Sequence, residues 1–319
     1  MFPDSPSPVP HESKRNVLPN PQLNREGNRM VVFDQANALR RLVERSRSEG
    51  GGAAAPARVC TVVGGKGGVG VTTAAVNIAT AFARQGDRTL LVDADPGGGN
   101  VGYHCGLDPS DGLAEVLSGE KTLPQAVQEG PGGLYVLASL WTNAALENVP
   151  TKRLEKLADK FRGSGRLFDT VVVDAGTGLN RVVRRFWRGS DAILLVTTPD
   201  LTAVMDGYAT IKVNRTSTVP TAVVANFCNE DSAAGEVFSR LSRACGRFLS
   251  LDLAYAGRIA KTRRLAQSAR NRTPFLLEFP DDPVSDQWMH IATTLETLAR
   301  AAVDPHALRA DRREPARIA

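Results

Sequence analysis

The sequence predicts an α/β fold of three layers, in which a mostly parallel β-sheet lies between helices on both faces. The first observation is that short apolar runs alternate with amphipathic helical patterns from residue 58 onward. Strands that are apolar along nearly their whole length are typical of a parallel sheet covered on both sides. The second observation is a glycine-rich turn between the first apolar run and the first helical pattern.

The apolar runs predict seven strands, and the spacing of apolar residues between and after them predicts eight helices. The predicted strands are Val59–Val63, Thr89–Val92, Leu134–Leu137, Thr170–Val173, Ala192–Val196, Thr221–Ala225 and Leu249–Leu253. The predicted helices are Thr72–Arg84, Leu113–Ser118, Leu154–Phe161, Arg181–Arg188, Thr202–Val213, Gly235–Ala244, Thr262–Ala269 and Gln287–Ala302. Together these elements form one predicted domain over residues 58–303.

The composition is that of a soluble globular protein. Of the 319 residues, 42% are hydrophobic and 23% are charged, which argues against wholesale disorder or a fibrous repeat. The net charge is +5, but the basic residues are scattered, so a solvated surface is favoured over a nucleic-acid site. The four cysteines have neither disulfide nor zinc-ligand spacing. No signal-peptide pattern and no apolar run near the ~18 residues of a bilayer span are present, which predicts a cytoplasmic protein.

The regions outside this domain have their own patterns. Residues 1–30 are rich in proline and serine and are expected to form a disordered tail. Residues 31–48 show the apolar spacing of an amphipathic helix, with Asp34 placed as its cap. Residues 49–57 form a Gly/Ala/Pro linker, and residues 304–319 are expected to form a frayed tail. A tethered helix either meets a partner or packs on its own domain, and the composition leaves both alternatives open.

The glycine-rich turn matches the phosphate-loop pattern GxxxxGK[ST], except that Val71 takes the position of the usual lysine. Its residues are Gly65, Lys66, Gly67, Gly68, Val69, Gly70, Val71, Thr72 and Thr73. Glycines let successive backbone N–H groups point at phosphate oxygens, and the following helix adds its positive end. The Thr72 hydroxyl would ligate Mg²⁺. The sequence therefore predicts a site for ATP with Mg²⁺.

The segment GGKGGVGVTT resembles the deviant Walker A motif KGGxGKTT of the ParA/MinD family of P-loop ATPases. The resemblance implies an ATP-dependent sandwich homodimer, in which Lys66 reaches the phosphates of the partner's nucleotide. The segment LLVDADP is similar to the family's second acidic motif and implies that Asp95 positions the attacking water and that Asp93 lies near Mg²⁺. The segment VVVDAG resembles Walker B, which implies that Asp174 holds a water of the Mg²⁺ shell.

Two further segments resemble the FlhG family of flagellar-number regulators within this group. The segment from Thr197, TTPDLTAVMDGYATIK, is similar to the family's TTPEPTSxxDAYAxIK. Asn226 ends a later strand, where related proteins use an asparagine to read the adenine edge. The segment DQANALR reproduces the DQAxxLR motif, which implies contact with an FlhF-type GTPase and a role for Gln35 in the active site of that partner. The motif residues expected to bind the partner are Asp34, Gln35, Ala36, Leu39 and Arg40.

Val71 bears on the activity, because it removes a positive charge from the phosphate loop. A charge-assisted contact contributes about 1.5 to 3 kcal/mol, so nucleotide binding would weaken roughly ten- to a hundredfold. Two alternatives stay open: a slow ATPase that converts ATP to ADP and phosphate, and a nucleotide sensor that does not hydrolyse. The segment GRIAKTRR from Gly257 also departs from the family pattern. The tail after Asp304 has too few bulky apolar residues for membrane association to be expected.

These features predict a FlhG-like, ATP-dependent dimerising switch that regulates flagellar number or placement through an FlhF-type GTPase. The expected location is the cytoplasm, with recruitment to the cell pole or inner membrane by a partner. One alternative is a degenerate scaffold in polar or pilus assembly that does not cycle ATP. Another is a ParA-like DNA partition ATPase, which ranks last because the DQAxxLR helix has no role there.

Overall fold

The computed structural model describes residues 55–108, 112–139, 149–214 and 219–303. The predicted N-terminal tail, the helix at residues 31–48, most of the linker and the C-terminal tail lie outside the described residues. The DQAxxLR residues therefore lie outside them too, and their predicted partner contact stays a prediction. No helix in the described ranges is long and apolar enough to cross a membrane.

The described chain forms one eight-stranded sheet in the order β3-β4-β2-β5-β1-β6-β7-β8. All neighbouring strands are parallel except β3 and β4, which are antiparallel. The strands are β1 (Arg58–Gly64), β2 (Thr89–Asp93), β3 (Gln128–Glu129), β4 (Tyr135–Leu137), β5 (Thr170–Thr177), β6 (Ala192–Thr197), β7 (Thr221–Ala225) and β8 (Ala254–Arg258). The prediction of a mostly parallel sheet is confirmed.

Helices connect the strands and cover both faces of the sheet. They are α1 (Val71–Arg84), α2 (Val101–His104), α3 (Leu113–Ser118), α4 (Leu123–Ala126), α5 (Thr151–Arg162), α6 (Arg181–Arg188), α7 (Leu201–Asn214), α8 (Asp231–Leu249), α9 (Arg263–Arg270), α10 (Phe275–Glu278) and α11 (Pro283–Val303). A single 3₁₀ turn at Pro131–Gly133 precedes β4. Each of the eight predicted helices overlaps one of these, with boundary shifts of a few residues.

The core has a layer on each side of the sheet, because successive strand residues point to opposite faces. On one face, Val62 and Leu194 pack with Phe82 of α1 and Trp288 of α11. On the other face, the strands pack against α5 and α6 through one cluster and against α7 and α8 through another. All the strands that carry the site are thus buried on both sides, which fixes the position of their carboxyl ends.

The prediction of a strand at Leu249–Leu253 is wrong. Helix α8 continues to Leu249, and Ser250 ends it in the left-handed conformation, with φ 51° and ψ 45°. The alternating leucines look like a half-buried strand, but they are partly buried against the cluster under α8. The eighth strand comes later, at Ala254–Arg258, where the sequence AYAGR has only a weak apolar pattern.

Candidate functional site

The phosphate loop joins the buried end of β1 to the first turn of α1. Gly68 and Gly70 have φ values of +81° and +91°, in the left-handed region that favours glycine. Gly70 is the N-cap of α1 and no side chain caps this end. As a glycine, this N-cap offers no side-chain acceptor to the first N–H groups of the helix, which suits an anion-binding helix end.

Val71 lies beneath this loop in an apolar environment. Its side chain is 5% exposed and belongs to the same core cluster as Val69. A Cβ on Gly64 would lie 2.6 Å from a methyl carbon of Val71, so the valine packs directly on the end of β1. The position that carries a lysine in the standard motif thus contributes packing and no charge.

Lys66 is the positively charged residue of the loop, and its side chain contacts the start of α7 in the same chain. Its Nζ donates hydrogen bonds to Asp200 Oδ2 at 2.9 Å and to Thr202 Oγ1 at 2.6 Å. The side chain is 43% exposed. The hydrogen bond from Lys66, with those from Thr202, lowers the pKa of Asp200. Lys66 is therefore accessible from solvent and held by a contact that it can leave.

Asp93 and Asp174 lie side by side at the ends of β2 and β5. They are paired in register across the two strands, and both are completely buried. Asp93 Oδ2 accepts a hydrogen bond from the Val101 N–H at 3.1 Å. Burial and the neighbouring charge of Asp174 raise the pKa of Asp93 well above its ordinary value.

Asp174 has an unsatisfied oxygen. Its Oδ1 accepts a hydrogen bond from the Gly176 N–H at 3.1 Å, whereas Oδ2 has no hydrogen-bond partner among the described residues. Burial raises the pKa of Asp174 to about 7, although a hydrogen bond with the Thr72 side chain acts to lower it. A buried carboxylate oxygen without a partner costs free energy unless a cation or proton satisfies it.

Asp95 completes the acidic group from the turn after β2. Its Oδ1 accepts a hydrogen bond from the Gly97 N–H at 2.8 Å, and burial raises its pKa. A Cβ on Gly176 would lie 2.1 Å from Asp95 Oδ1, and Gly176 has φ +68°, so this position requires glycine. The structure therefore brings Asp95 against the turn that follows Asp174.

The donor set fits Mg²⁺ bound together with a nucleotide. Carboxylates and a threonine hydroxyl are hard oxygen ligands, and Asp174 offers a free oxygen beside Thr72. No group of three or more His, Cys, Asp or Glu side chains in the described ranges is arranged to hold a metal ion by itself. Mg²⁺ sites typically combine one or two carboxylates with substrate phosphates and water, so this arrangement matches Mg²⁺ rather than an all-protein metal cage.

Asn226 braces the phosphate loop from the end of β7. The residue is 1% exposed, and its Nδ2 donates to the Val69 carbonyl at 2.8 Å. Its Oδ1 accepts from the backbone N–H of Phe227 at 2.9 Å. The sequence did not indicate this contact, because no local pattern links two residues that are 157 positions apart.

Comparisons with known proteins agree with this architecture. A family model described as an AAA domain matches residues 57–220. The antiactivator FleN of Pseudomonas aeruginosa is 30% identical over 244 residues, which cover 76% of this chain and 87% of FleN. The flagellum site-determining protein YlxH of Helicobacter pylori is 28% identical over 73% of this chain and 80% of YlxH.

Solved structures give the same fold. The septum site-determining protein MinD of Pyrococcus horikoshii, complexed with Mg-ADP, superposes with a TM-score of 0.65 at 19% identity, covering 78% of this chain and 99% of MinD. At this identity the likeness shows the fold alone. The phosphate loop resembles the family's deviant motif, and the AAA-domain match spans just over half of the chain. From these matches, the chain belongs to the ParA/MinD family of P-loop ATPases, with FleN and YlxH among its relatives.

Proposed function

We propose that this protein binds ATP with Mg²⁺, closes into a homodimer around the nucleotide, and acts as a switch that regulates flagellar number or placement. The observation that carries the nucleotide site is the unpartnered, buried oxygen of Asp174 beside Thr72 under the glycine loop. The flagellar role is proposed because the relatives FleN and YlxH are named as an antiactivator and a flagellum site-determining protein.

The residues of the site would have two roles: some bind the phosphates and the metal, and others orient water. The backbone of the loop from Gly67 to Thr73 would bind phosphate oxygens, and the Thr72 hydroxyl would ligate the metal. Asp174 and Asp93 would orient the water shell of the metal, and Asp95 would orient the attacking water. Bound Mg²⁺ supplies charge neutralisation at the phosphates, which Val71 cannot supply.

We propose that, when the dimer closes, Lys66 of each subunit contacts the nucleotide bound to the other subunit. Its side chain is exposed and bound only through surface groups, so it can exchange Asp200 for a phosphate of the partner's nucleotide. Two large apolar residues next to this contact, Leu201 and Met205 of α7, are 57% and 62% exposed. A second copy that covers this face would bury apolar area in addition to forming the lysine contact.

The proposed partner is an FlhF-type GTPase, bound through the DQAxxLR helix with Gln35 in the partner's active site. The support is the sequence motif at residues 34–40 and its position ahead of the P-loop domain. Recruitment to the cell pole or inner membrane would follow from such a partner. Substitution of Gln35 by Ala should abolish any stimulation of the GTPase and leave nucleotide binding by the P-loop domain unchanged.

A scaffold that does not cycle ATP is the second candidate, and Val71 is the observation that favours it. Its burial leaves the loop without the usual cation in cis. The DNA partition alternative is weaker, because two of the basic residues already pair with carboxylates, Arg258 with Asp231 and Arg264 with Asp282.

The deciding experiment measures Mg-ATP binding, ATP hydrolysis and dimer mass for the wild type beside Val71→Lys. Tight binding and dimerisation by the wild type would establish a working switch. Binding by the lysine variant alone would establish the scaffold. Salt-sensitive DNA binding that appears only with ATP would instead support the partition function.

A further inference from the structure

A residue with a strained backbone lies in the turn that ends α9. Arg272 has φ +54°, in the left-handed region that glycine adopts without strain and that a long side chain rarely takes. Its N–H donates to the Ala269 carbonyl at 3.2 Å, and the N–H of Thr273 donates to the Ser268 carbonyl at 3.1 Å, so the turn closes the helix. Helices that end in this way usually have glycine at the left-handed position. An arginine there keeps the strain, which points to a role for its side chain.

The side chain of Arg272 holds the segment that follows α2. Its Nη2 donates to the Leu107 carbonyl at 2.6 Å, and its Nε donates to the Tyr103 carbonyl at 3.4 Å. The guanidinium also lies over the Tyr103 ring, 5.3 Å from the ring centroid. The backbone is close as well, since a Cβ on Gly106 would lie 3.1 Å from the Arg272 carbonyl oxygen. Arg272 therefore fixes the carboxyl end of α2 through both its side chain and its backbone.

The other end of α2 contacts the acidic site. The N–H of Val101, the first residue of α2, donates to Asp93 Oδ2 at 3.1 Å. A Cβ on Gly99 would lie 2.3 Å from the same oxygen, so the chain that enters α2 is packed against this carboxylate. Because α2 has only four residues, a displacement of its carboxyl end would also move the Val101 N–H. The contacts of Arg272 thus bear on the orientation of the Asp93 carboxylate.

The segment after Arg272 is anchored to the helix of the phosphate loop. The Leu276 N–H donates to Asn77 Oδ1 at 3.1 Å, and Asn77 Nδ2 donates to the Thr73 carbonyl in the first turn of α1 at 2.8 Å. Arg84 of α1 donates to the Leu276 carbonyl at 3.1 Å. Asn77 is 2% exposed, so this link is buried. The position of α2 is therefore set relative to the phosphate loop.

We propose that Arg272 is a positioning residue for the metal site: it holds α2 so that the Val101 N–H keeps the Asp93 carboxylate directed at the water shell of Mg²⁺. The assignment rests on the nucleotide and Mg²⁺ binding proposed above. Groups that orient the ligands of a metal without touching the metal change its affinity when they are removed. Loss of the Arg272 side chain should therefore lower the contribution of Mg²⁺ to nucleotide affinity and leave the phosphate contacts of the loop in place.

Arg272→Gly tests this role with the fold preserved, because glycine adopts φ +54° without strain and only the side chain is lost. Titrations of the full chain with ATP, once with Mg²⁺ and once with EDTA, give the factor by which Mg²⁺ tightens binding. In the variant this factor should fall by about tenfold, while the affinity for metal-free ATP stays that of the wild type. Arg272→Lys keeps a donor for the Leu107 carbonyl and should retain part of the factor.

Ser250→Gly is the matched control. Ser250 ends α8 with φ 51°, so this change also places glycine at a left-handed position that closes a helix, but on the other face of the sheet. It should leave the factor unchanged. An unchanged factor in Arg272→Gly, with Mg²⁺ tightening ATP binding in the wild type, would overturn the role of Arg272 while nucleotide binding stands. A wild type whose ATP affinity does not respond to Mg²⁺ would overturn the metal site itself, and the role of Arg272 with it.

Discussion

Asp93 and Asp174 are directly opposite each other in adjacent strands, and both are fully buried. Two carboxyl groups in this position disfavour each other's ionisation, and burial adds to the effect. The arrangement costs stability in the protein without ligand, and the proposed binding of Mg²⁺ would offset that cost. It is an example of a site at which function opposes stability.

We therefore expect Asp174→Asn to stabilise the ligand-free protein at neutral pH, on the order of 1 to 3 kcal/mol, because it removes a buried charge. The pKa of Asp174 is raised to about 7. A raised carboxyl pKa means that folding takes up a proton, so the destabilisation by Asp174 builds up as pH rises from about 4 to about 7 and is constant above that. Below about pH 4 the carboxyl is protonated in both the folded and the unfolded state, so the variant and wild type should converge there, as urea unfolding at several pH values would show.

The same variant should lose the stabilisation that Mg-ATP gives the wild type. Thermal unfolding with and without Mg-ATP measures this as the shift in melting temperature. A variant that keeps the full shift would contradict the assignment of Asp174 to the metal shell.

Asp200→Asn should favour the ATP-dependent dimer, because it removes the ion pair that holds Lys66 to its own chain, while the hydrogen bond to Thr202 stays. The pair is exposed, so the dimer dissociation constant should fall no more than a few-fold. Light scattering with Mg-ATP measures the dimer. Glu236→Gln is the control, since it breaks an exposed pair with Arg240 on α8.

Lys66→Ala should abolish the dimer. An unchanged dimer would refute the proposed contact of Lys66 with the nucleotide of the other subunit.

Asn226→Asp should weaken Mg-ATP and Mg-tripolyphosphate alike, since it places an acceptor oxygen against the Val69 carbonyl and disturbs the phosphate loop. Loss of this buried hydrogen bond should also lower the free energy of unfolding by about 1 to 3 kcal/mol. Tripolyphosphate carries no base, so its titration separates a disturbed phosphate loop from the loss of a contact to the base.

Gly176→Ala should impair hydrolysis more than binding. The added Cβ would collide with Asp95 Oδ1, and alanine is strained at φ +68°. Asp95 would then lose its position while the phosphate loop keeps its own. Single-turnover hydrolysis beside equilibrium binding measures the two effects. A fall in affinity with unchanged turnover would show that Asp95 does not orient water.

Much of the fold and the acidic site could be predicted from the sequence, because both follow from local patterns. Apolar strands identified the parallel sheet, and resemblance to the family's acidic motifs identified Asp93 and Asp174. In the structure these two residues lie opposite each other in adjacent strands. The glycine spacing identified the phosphate loop, because this spacing is also a local pattern of the sequence. These patterns depend on residues that are close in the chain.

The contacts that could not be predicted join distant residues. Lys66 meets Asp200 across 134 positions, and Asn226 meets Val69 across 157. No periodicity encodes such pairs, since they depend on how the loops lie after the sheet has formed. Strand β8 was missed for a different reason: its residues are small or polar, whereas the leucines before it alternate as a strand would.

Gly65 of the phosphate loop meets helix α7 backbone to backbone. A Cβ on Gly65 would lie 2.2 Å from the backbone nitrogen of Gly207, so no side chain fits between the helix and the loop. Any protein that docked on the exposed Leu201 and Met205 of α7, the proposed second copy included, would therefore transmit a displacement of the helix directly to the phosphate loop. Such a signal depends on where the helix axis lies, so the outer face of α7 could change its residues to suit new partners and still control the same nucleotide.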